Sequence, residues 1–465
     1  MSSPPASKPS SRRAPHLLRR LSTFDGTLLT VGSVLGSGIF LTGGAVAAAL
    51  PHPGLVLFAW LAGGLLTMSG AVTYAELGTI FPRAGGLYDF LKEAYGQIWG
   101  FLYGWSAFWV IMSGGIAALA SGFGEYLGVF VPVLSTHHIV ASLALGSFTW
   151  RISAGQLTAT GAILVLSIVN HLGVRQGATT QNLLTLLKVG SVLAFCALGL
   201  WSTSPVSPAF DSPVPRGSLL SLFGVAMIAV LWTYDGWYGL VFSAEELRTP
   251  ERTLPRSLVA GTAIVTVLYL LLNLVYLRAL PIARMAASGR IGEDAAAALF
   301  GPAGARLLSA AILVSIFGCL SATILYSSRI YMPMARDGLF FRSLAEIDPR
   351  SGVPARSLWA QSGWAILLTL SGTYEQLFTY VTFAVVLFQA GAGIALFVLR
   401  RRPELRRPYR AWGYPVLPAL FVLASLLLVA NTLAERPVES IAGLVLLVLG
   451  LPAYGFWRRQ AASSQ

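Results

Sequence analysis

Apolar blocks of about 17–25 residues, the length that crosses the hydrocarbon core of a bilayer as a helix, run through most of this chain. Short polar clusters separate the blocks along its 465 residues. Charged residues make up only 11% of the chain, under half of the roughly 25% found in soluble domains. The sequence therefore predicts an all-α polytopic membrane protein.

The apolar blocks predict twelve transmembrane helices. They lie near 24–48, 53–77, 97–130, 156–172, 176–201, 217–244, 256–280, 303–330, 355–371, 374–399, 411–432 and 438–457. The apolar segment 138–146 is too short to cross a bilayer, so we expect it in an outer loop.

The net charge of +13 could indicate nucleic-acid binding, but membrane proteins keep Lys and Arg in their cytoplasmic loops. Basic residues here are concentrated in the amino-terminal tail and in the segment 400–410, whereas the predicted outer loops hold few, such as Arg151. This asymmetry predicts a protein of the cytoplasmic (inner) membrane with both termini cytoplasmic. We therefore expect the protein to contact the lipid bilayer and not to bind nucleic acid.

The amino-terminal segment, the cysteines and the histidines show no pattern of a processing, disulfide or metal site. Residues 1–20 are rich in Ser, Pro and Arg and have no apolar core, so they predict a disordered tail and no cleaved signal peptide. Cys196 and Cys319 both lie inside apolar blocks, which argues against a disulfide framework. The five histidines have no metal-ligand spacing, and we expect neither a metal nor a cofactor.

Two spans are interrupted by glycine at corresponding places. The first contains the run VLGSGIF at Val34–Phe40, and the sixth contains WTYDGW at Trp232–Trp237. Paired interruptions point to inverted repeats with a binding site at the midplane. We therefore expect five-helix repeats over 21–205 and 206–400, followed by two added helices over 401–457 and a tail over 458–465.

The first interruption suits an amino acid. A broken helix is tolerated in hydrocarbon only where something polar fills the gap. The free N–H groups of Ser37, Gly38 and Ile39 and the Ser37 hydroxyl would suit a carboxylate, and free carbonyls around Val34 would suit an ammonium group. The alternative is a stripe of small residues that only lets helices pack closely.

Asp235 and Lys188 are the charged residues deepest inside the spans. Asp235 is either a polar element of the substrate or proton pathway or an N-cap of the second half-helix, with Trp232 as a bulky lid. Lys188 needs carbonyls or an anion as partners, and the unwound part of span 1 offers carbonyls. The alternative is a lysine that snorkels to the interface from a span beginning elsewhere.

Five stretches in the same order resemble the amino acid–polyamine–organocation superfamily, in particular the bacterial type of its L-type amino acid transporter branch. The resemblance covers residues 23–457, nearly the whole chain. It is carried by GSGIF, by YAELGTIFPRAGGLYDFLKEAYG, by YDGW with EELRTPERTLPRSL, by the helix of Lys188 and by SSRIYMPMARDGLF.

The resemblance implies a ten-helix inverted-repeat core with two added helices, and amino acid transport by alternating access. It implies that the carboxylate meets Ser37 and Gly38, while the amino group meets carbonyls at Val34, Trp232 and Asp235. Lys188 matches the family's span-5 lysine, which stands where sodium-coupled relatives of the same fold hold an ion. Cys319 and Thr323 would be the facing positions on span 8. This implies exchange or proton-linked uptake without sodium.

Tyr238 departs from the family pattern, because many members carry a small polar residue or a glutamate there. A pocket walled by Trp232, Tyr238, Val110 and Ile111 predicts a neutral substrate. The full candidate binding set is Val34, Gly36, Ser37, Gly38, Ile39, Val110, Ile111, Trp232, Thr233, Asp235, Gly236 and Tyr238, with Lys188, Cys319 and Thr323 as coupling residues.

The sequence thus predicts a secondary transporter of neutral L-amino acids. The alternative is a polyamine or cationic amino acid carrier of the same fold, with Asp235 as the cation partner. A membrane-embedded enzyme is disfavoured, because the acidic residues are few and lie mostly in loops. We expect no partner subunit, since no cysteine falls in a predicted outer loop to bind one covalently.

Overall fold

A computed structural model describes residues 17–145, 148–202, 218–371, 374–435 and 437–462. The described chain is mostly α-helical. Its first helices are α1 Thr23–Val34, α2 Gly38–Leu41, α3 Gly43–Ala49, α4 Pro53–Ile80, α5 Leu87–Tyr95, α6 Gln97–Ser106, α7 Met112–Phe130, α8 Ala154–His171 and α9 Val174–Trp201. The later helices are α10 Leu219–Thr233, α11 Pro250–Ala279, α12 Ile282–Ala286, α13 Ile291–Ser327, α14 Tyr331–Arg336, α15 Ala355–Ser371, α16 Tyr374–Arg400, α17 Val416–Glu435, α18 Pro437–Val448 and α19 Gly450–Ala462.

The helices confirm a polytopic helical membrane protein. Within the described ranges, seven helical stretches are long and apolar enough to cross a membrane, and Leu219–Thr233 and Ala384–Arg400 are shorter apolar helices. Each of the twelve predicted spans overlaps helix. A one-turn π-helix at Ala107–Ile111 joins α6 to α7, so that Gln97–Phe130 runs as one span. The count of twelve crossings remains a prediction.

Several predicted boundaries differ from the structure. The eighth span begins at Ile291 as a helix that is interrupted at Gly301, where φ is +72°, just before Pro302. A proline lacks the N–H that a continuous helix needs, which accounts for the interruption. The last span divides into α18 and α19, and α19 continues to Ala462. Helix therefore extends into the segment 458–465 that was expected as a tail.

The apolar segment expected in an outer loop is a β-hairpin. Strand β1 Ile139–Leu145 pairs antiparallel with β2 Phe148–Ser153. The indole Nε1 of Trp150 donates to the carbonyl of Leu370, 2.8 Å away, at the end of α15. The hairpin is therefore fixed to the helical body.

Helix α1 lies at the centre of the bundle and positions the site. It begins at a capping box, in which Ser22 Oγ accepts from Asp25 N and Asp25 Oδ2 accepts from Ser22 N. Eight of its twelve residues are buried, and it packs against α9, α11 and α13. A helix covered on several sides can be interrupted at low cost, because neighbouring side chains are close enough to satisfy its backbone.

The segment Leu17–Leu21, which we call the N-terminal strap, lies along the segment after the sixth span. The N–H groups of Arg20 and Leu21 both donate to Glu246 O at 2.9 Å, and Arg248 N donates to Leu21 O at 3.0 Å. Leu17 is buried in a small cluster with Ala84, Met332 and Ile347. Of the tail expected to be disordered over 1–20, residues 1–16 lie outside the described residues.

Candidate substrate site

The first interruption is a true break in the helix. Helix α1 ends at Val34, and Gly36 N donates to Val34 O at 2.8 Å. The chain resumes as helix at Gly38, and Thr42 N donates to Gly38 O at 2.8 Å, so α2 continues into α3. Within the described chain, the N–H groups of Ser37 and Gly38 donate to no other group. The positive end of a half-helix therefore opens at this point.

The second break lies between α10 and a 3₁₀ helix at Gly239–Glu246. Gly236 has a φ of +94°, a conformation that side-chain-bearing residues rarely adopt. A Cβ atom at Gly236 would also lie only 2.6 Å from the carbonyl oxygen of Ser33. Position 236 is therefore restricted to glycine both by its conformation and by the approach of the first span.

The two breaks are in direct contact. A Cβ atom at Gly38 would lie 3.1 Å from Thr233 Cγ2 and 3.2 Å from its Cα. The hydroxyls of Thr42 and Thr233 lie 2.7 Å apart. The two segments of unwound backbone therefore form one polar patch in the interior of the bundle.

A cavity of about 90 Å³ lies against this patch. Twelve of the predicted residues line it: Val34, Gly36, Ser37, Gly38, Ile111, Trp232, Thr233, Asp235, Gly236, Tyr238, Cys319 and Thr323. Ile39 and Val110 are not among the lining residues. Ile39 is fully buried, and its carbonyl accepts from Tyr276, whereas Val110 packs against the main apolar core.

Lys188 lies behind the first break and does not line the cavity. It is 1% exposed, and its Nζ donates to Gly32 O at 2.6 Å and to Leu35 O at 2.9 Å. Ser315 O lies 3.5 Å away on the eighth span. The ammonium group is thus directed at carbonyls of the broken helix, and the alternative of a snorkelling lysine is wrong.

The eighth span completes the support of the first break. Ser315 Oγ donates to Leu35 O at 2.8 Å, and Cys319 Sγ donates to Ser33 O at 3.0 Å. Together with Lys188, these side chains satisfy carbonyls that the end of α1 leaves without helical partners. The carbonyl side of the break is therefore largely occupied by the protein's own donors.

The interpretation of Asp235 as an N-cap is wrong. The 3₁₀ helix begins at Gly239, and its N-cap position is Tyr238 with no side-chain cap hydrogen bond. Asp235 Oδ1 instead accepts from Gln389 Nε2 of α16 at 3.1 Å. A second cavity of about 40 Å³ lies on the other side of Asp235, with Trp237 and Phe421 in its wall. Asp235 therefore stands between two cavities.

Tyr269 is a site residue that sequence reasoning missed. Its hydroxyl, on α11, lies 3.0 Å from Val34 O and 3.0 Å from Thr233 O. These are the last carbonyls of α1 and α10, so one side chain joins both breaks. The ring packs against Trp60 and Tyr234. One tyrosine in an apolar span carries no sequence signal for this role.

Other lining residues were also missed, namely Ser33, Met112, Gly115, Ala118, Leu119, Tyr326 and Val385. Gly115 and Ala118 belong to a run of small residues in the third span, SGGIAALA. That run is a weak signal, because small residues more often mark close helix packing than a cavity.

A buried ion pair lies on the two chain segments that contribute Tyr238 and Tyr326 to the cavity wall. Tyr238 and Tyr326 line the cavity, and farther along the same two segments Glu246 and Arg329 meet at 2.8 Å with side chains 0% and 1% exposed. Next to this pair, Glu245 accepts from Leu17 N of the strap at 3.1 Å. Glu245 also accepts from Ala84 N at 3.2 Å. Several chain segments therefore meet at this ion pair.

Two broken helices that meet at an internal cavity are typical of a class of proteins, the secondary transporters. The family described as "Amino acid permease" matches residues 21–449. The chain belongs to this family, and the predicted resemblance is confirmed. The family consists of permeases and not of enzymes.

Curated relatives cover almost the same length. The chain is 32% identical over 452 residues to the serine/threonine exchanger SteT of Bacillus subtilis (strain 168), covering 96% of this chain and 98% of that protein. It is 31% identical to the human b(0,+)-type amino acid transporter 1, over 93% of this chain and 86% of that protein. The branched-chain amino acid permease BcaP of Bacillus subtilis is 26% identical, over 96% of this chain and 94% of that protein.

Proposed function

We propose that this chain is a secondary transporter that exchanges small neutral L-amino acids, or takes them up with a proton, by alternating access. The observation that carries the proposal is the contact of the two helix breaks at a cavity inside the bundle. A site in the middle of a bundle can be opened to either side by movement of the surrounding helices.

The vacant groups at the first break support a carboxylate as the bound anion. The N–H groups of Ser37 and Gly38 have no partner within the described residues, and they lie at the positive end of α2 and α3. The substrate ammonium group would face the carbonyls of Val34 and Trp232 and the side chain of Asp235. Val34 O already accepts from Gly36 N and faces Tyr269, and Trp232 O already accepts from Asp235 N, so the carboxylate of Asp235 is the strongest candidate for the ammonium.

The size of the cavity supports a small side chain. About 90 Å³ holds a few water molecules, each of which occupies roughly 30 Å³ in the liquid. Gly115 and Ala118 leave room for the substrate side chain, and the Thr323 hydroxyl is a polar group in the wall. The similarity to a protein named as a serine/threonine exchanger also supports a substrate with a small side chain.

Lys188 supports transport without sodium. Its ammonium group is held by Gly32 O, Leu35 O and Ser315 O, on the first and eighth spans. A fixed cation among these carbonyls leaves no favourable place for a sodium ion. We expect the exchange rate to stay unchanged when sodium is replaced by potassium in proteoliposomes, and a strict sodium requirement would contradict this assignment.

The architecture proposed with this function has twelve crossings. It comprises five-helix repeats over 21–205 and 206–400 and added helices from 401 onward, the last of which continues to Ala462. Both termini would face the cytoplasm, and the protein would lie in the cytoplasmic membrane. The proposal includes no cofactor and no partner subunit.

A carrier of cationic amino acids is the second candidate, and the cavity behind Asp235 favours it. Trp232, Trp237 and Phe421 line this cavity together with the carboxylate of Asp235. Aromatic faces beside a carboxylate attract an ammonium or guanidinium group. The side chain of a longer, cationic substrate could extend past Asp235 into this space.

The deciding experiment is exchange in proteoliposomes loaded with L-serine. Inhibition by external L-alanine, L-serine and L-threonine, with none by L-arginine or putrescine, is the result expected. Inhibition by L-arginine or putrescine alone would overturn the neutral assignment in favour of the second candidate. A thermal-shift screen of the purified protein against all twenty amino acids would extend the comparison.

Gly38→Val tests where the substrate binds, because a side chain at Gly38 would press on Thr233. We expect it to abolish the thermal shift produced by the substrate. Gly190→Val is the matched control, since a Cβ atom at Gly190, on exposed α9, meets no atom within 4 Å. Normal substrate binding by Gly38→Val would show that the break serves packing alone.

A further inference from the structure

A groove of about 450 Å³ opens on the surface of the bundle between α10, α17 and α4. It is larger than the cavity of about 90 Å³ at the helix breaks, and it lies on a different side of α10. Leu220 and Leu427 on its rim are 84% and 62% exposed. Because both belong to apolar helices of a membrane protein, the groove faces the lipid.

The groove is amphipathic along its length. Ser218, Ser221 and Asn431 lie at the end where α10 begins, and the deeper wall is apolar as far as Leu66 and Leu231. The Asn431 Nδ2 atom is buried and has no hydrogen-bond partner within the described chain. A buried donor that is left unpaired destabilises the protein. A ligand with a polar acceptor at this end and an apolar body would match both features.

The groove is long enough to cross the hydrocarbon of one leaflet and to reach its headgroup region. Ser218 and Leu231 are separated by 13 helical positions, or roughly 20 Å at 1.5 Å per residue. Half of the hydrocarbon core of a bilayer is about 15 Å thick. The acyl chain of one phospholipid, with an ester or phosphate oxygen near Asn431, therefore fits the groove from end to end.

Helix α10 lacks protein packing on this side. Four of its fifteen residues are buried, compared with eight of the twelve residues of α1. The inner end of the groove shares Leu66, Leu231, Ala424 and Leu428 with the cavity behind Asp235. Material in the groove would therefore support the half-helix and separate Asp235 from the bilayer.

We propose that this groove binds one acyl chain of a phospholipid from the leaflet in which α10 begins, with the headgroup at Ser218 and Asn431. The acyl chain takes the place of protein contacts that α10 lacks on this side. The inference concerns lipid binding and is independent of the substrate, so its test requires no transport measurement.

The test uses vesicles of phosphatidylethanolamine and phosphatidylglycerol with a tracer phosphatidylethanolamine that carries a diazirine on one acyl chain. After irradiation, adducts are mapped by mass spectrometry on the unmodified protein. We expect adducts on 219–231 and 424–431 to exceed those on the exposed leucines of α8 and α9 several-fold. Equal labelling of all these surfaces would mean that only bulk lipid is present, which would overturn the proposal.

Gly224→Phe places a ring at the groove, because Gly224 lines it and a Cβ atom there meets no atom within 4 Å. Gly161→Phe on α8 is the matched control, since its Cβ position is equally open and lies outside the groove. Gly224→Phe should lower the adduct yield in the groove several-fold, and the control should leave it unchanged. An unchanged yield in Gly224→Phe would overturn the proposal.

Asn431→Leu gives a second measure that does not alter the volume of the deep groove. Without the Asn431 donor, the headgroup loses its anchor, and we expect fewer adducts in the groove while labelling of α8 stays constant. Undiminished groove labelling in this variant would contradict the position assigned to the headgroup.

Discussion

At the residue scale, the carbonyl groups at the first break have hydrogen-bond partners, whereas some of its N–H groups have none among the described residues. Side chains of Lys188, Ser315 and Cys319 donate to carbonyls at the end of α1, whereas the N–H groups of Ser37 and Gly38 have no partner in the described part of the chain. A buried donor without a partner is costly. This imbalance favours an acceptor, such as a carboxylate, as the group that completes the site.

Tyr269→Phe should weaken substrate binding while preserving the fold. The variant keeps the ring contacts with Trp60 and Tyr234 but loses the hydroxyl that lies 3.0 Å from Val34 O and Thr233 O. A typical hydrogen bond contributes about 0.5–1.5 kcal/mol, so we expect the Kd for substrate, measured by isothermal titration calorimetry, to rise about two- to tenfold.

The control for this variant is Tyr276→Phe. Tyr276 is also buried on α11, and its hydroxyl makes a longer contact of 3.4 Å with Ile39 O, away from the cavity. Its Kd should stay close to the unmodified value. Equal effects of the two substitutions would show that Tyr269 acts through general packing.

Asp89 lies outside the spans, on α5, in a buried polar cluster. Its side chain is 3% exposed and lies 3.8 Å from Lys92, while Lys92 lies 2.7 Å from Asp337. Burial raises the pKa of Asp89 to about 7, because the loss of solvation outweighs the attraction of Lys92 and Arg83. Asp89 therefore titrates near neutral pH.

The raised pKa of Asp89 predicts a loss of stability as pH rises. In the unfolded chain the pKa of this carboxyl group is near 3.8. Between about pH 4 and pH 7 the folded state therefore binds more protons than the unfolded state, and the free energy of unfolding decreases as the pH rises. Asp89→Asn removes this dependence. Relative to the variant, the free energy of unfolding of the unmodified protein should fall by up to a few kcal/mol between pH 5 and pH 8. The factor is about 1.4 kcal/mol per pKa unit.

Thermal unfolding of both proteins in detergent measures this difference. Other titrating groups affect the two proteins equally, so the comparison isolates Asp89. Identical shifts of Tm between pH 5 and pH 8 would show that Asp89 is ionised throughout this range.

At the element scale, the N-terminal strap is the part that the sequence did not suggest. Leu17 is 4% exposed and Leu18 is 44% exposed, so the strap presents one side to the protein and one side to solvent. It binds Glu245 through Leu17 N, beside the buried pair Glu246 and Arg329. The strap therefore lies beside this ion pair, and we expect it to help close the cavity at the helix breaks on that side.

Leu17→Asp should detach the strap, because a charge cannot remain in the cluster with Ala84, Met332 and Ile347 without a large cost. The expected result is faster alkylation of Cys319, which lines the cavity, by a small maleimide in a Cys196→Ala background. Mass spectrometry follows the rate. Leu18→Asp is the control and should leave the rate unchanged, and equal rates in both variants would contradict a sealing role.

Sequence patterns predicted some of the secondary-structure elements and not others. Apolar length located the helices, because a span must satisfy its own backbone in lipid. The hairpin at 139–153 was missed as a strand pair, since a short apolar run does not distinguish strand from loop. The beginning of α13 at Ile291, before the interruption at Gly301, and the division at Leu449 depend on packing that a sequence does not display.

At the scale of the whole molecule, the positive-inside pattern predicts the orientation. The hairpin with Ser142 would lie outside, and the segment after α16 with Arg401 would lie inside. Ser142→Cys and Arg401→Cys test this in a Cys196→Ser, Cys319→Ser background. A membrane-impermeant maleimide should label the first variant in intact cells and the second only after permeabilisation. The reverse pattern would overturn the proposed orientation.

The sequence by itself determined the class of protein, its family and the positions of the two breaks. Apolar length and interrupting glycines act locally, and a bilayer leaves few structures that satisfy them. Only the tertiary structure decided that the breaks touch, that Tyr269 joins them and that Asp235 binds Gln389 and does not cap a helix. These contacts join residues far apart in the chain, and they depend on how the helices pack in three dimensions.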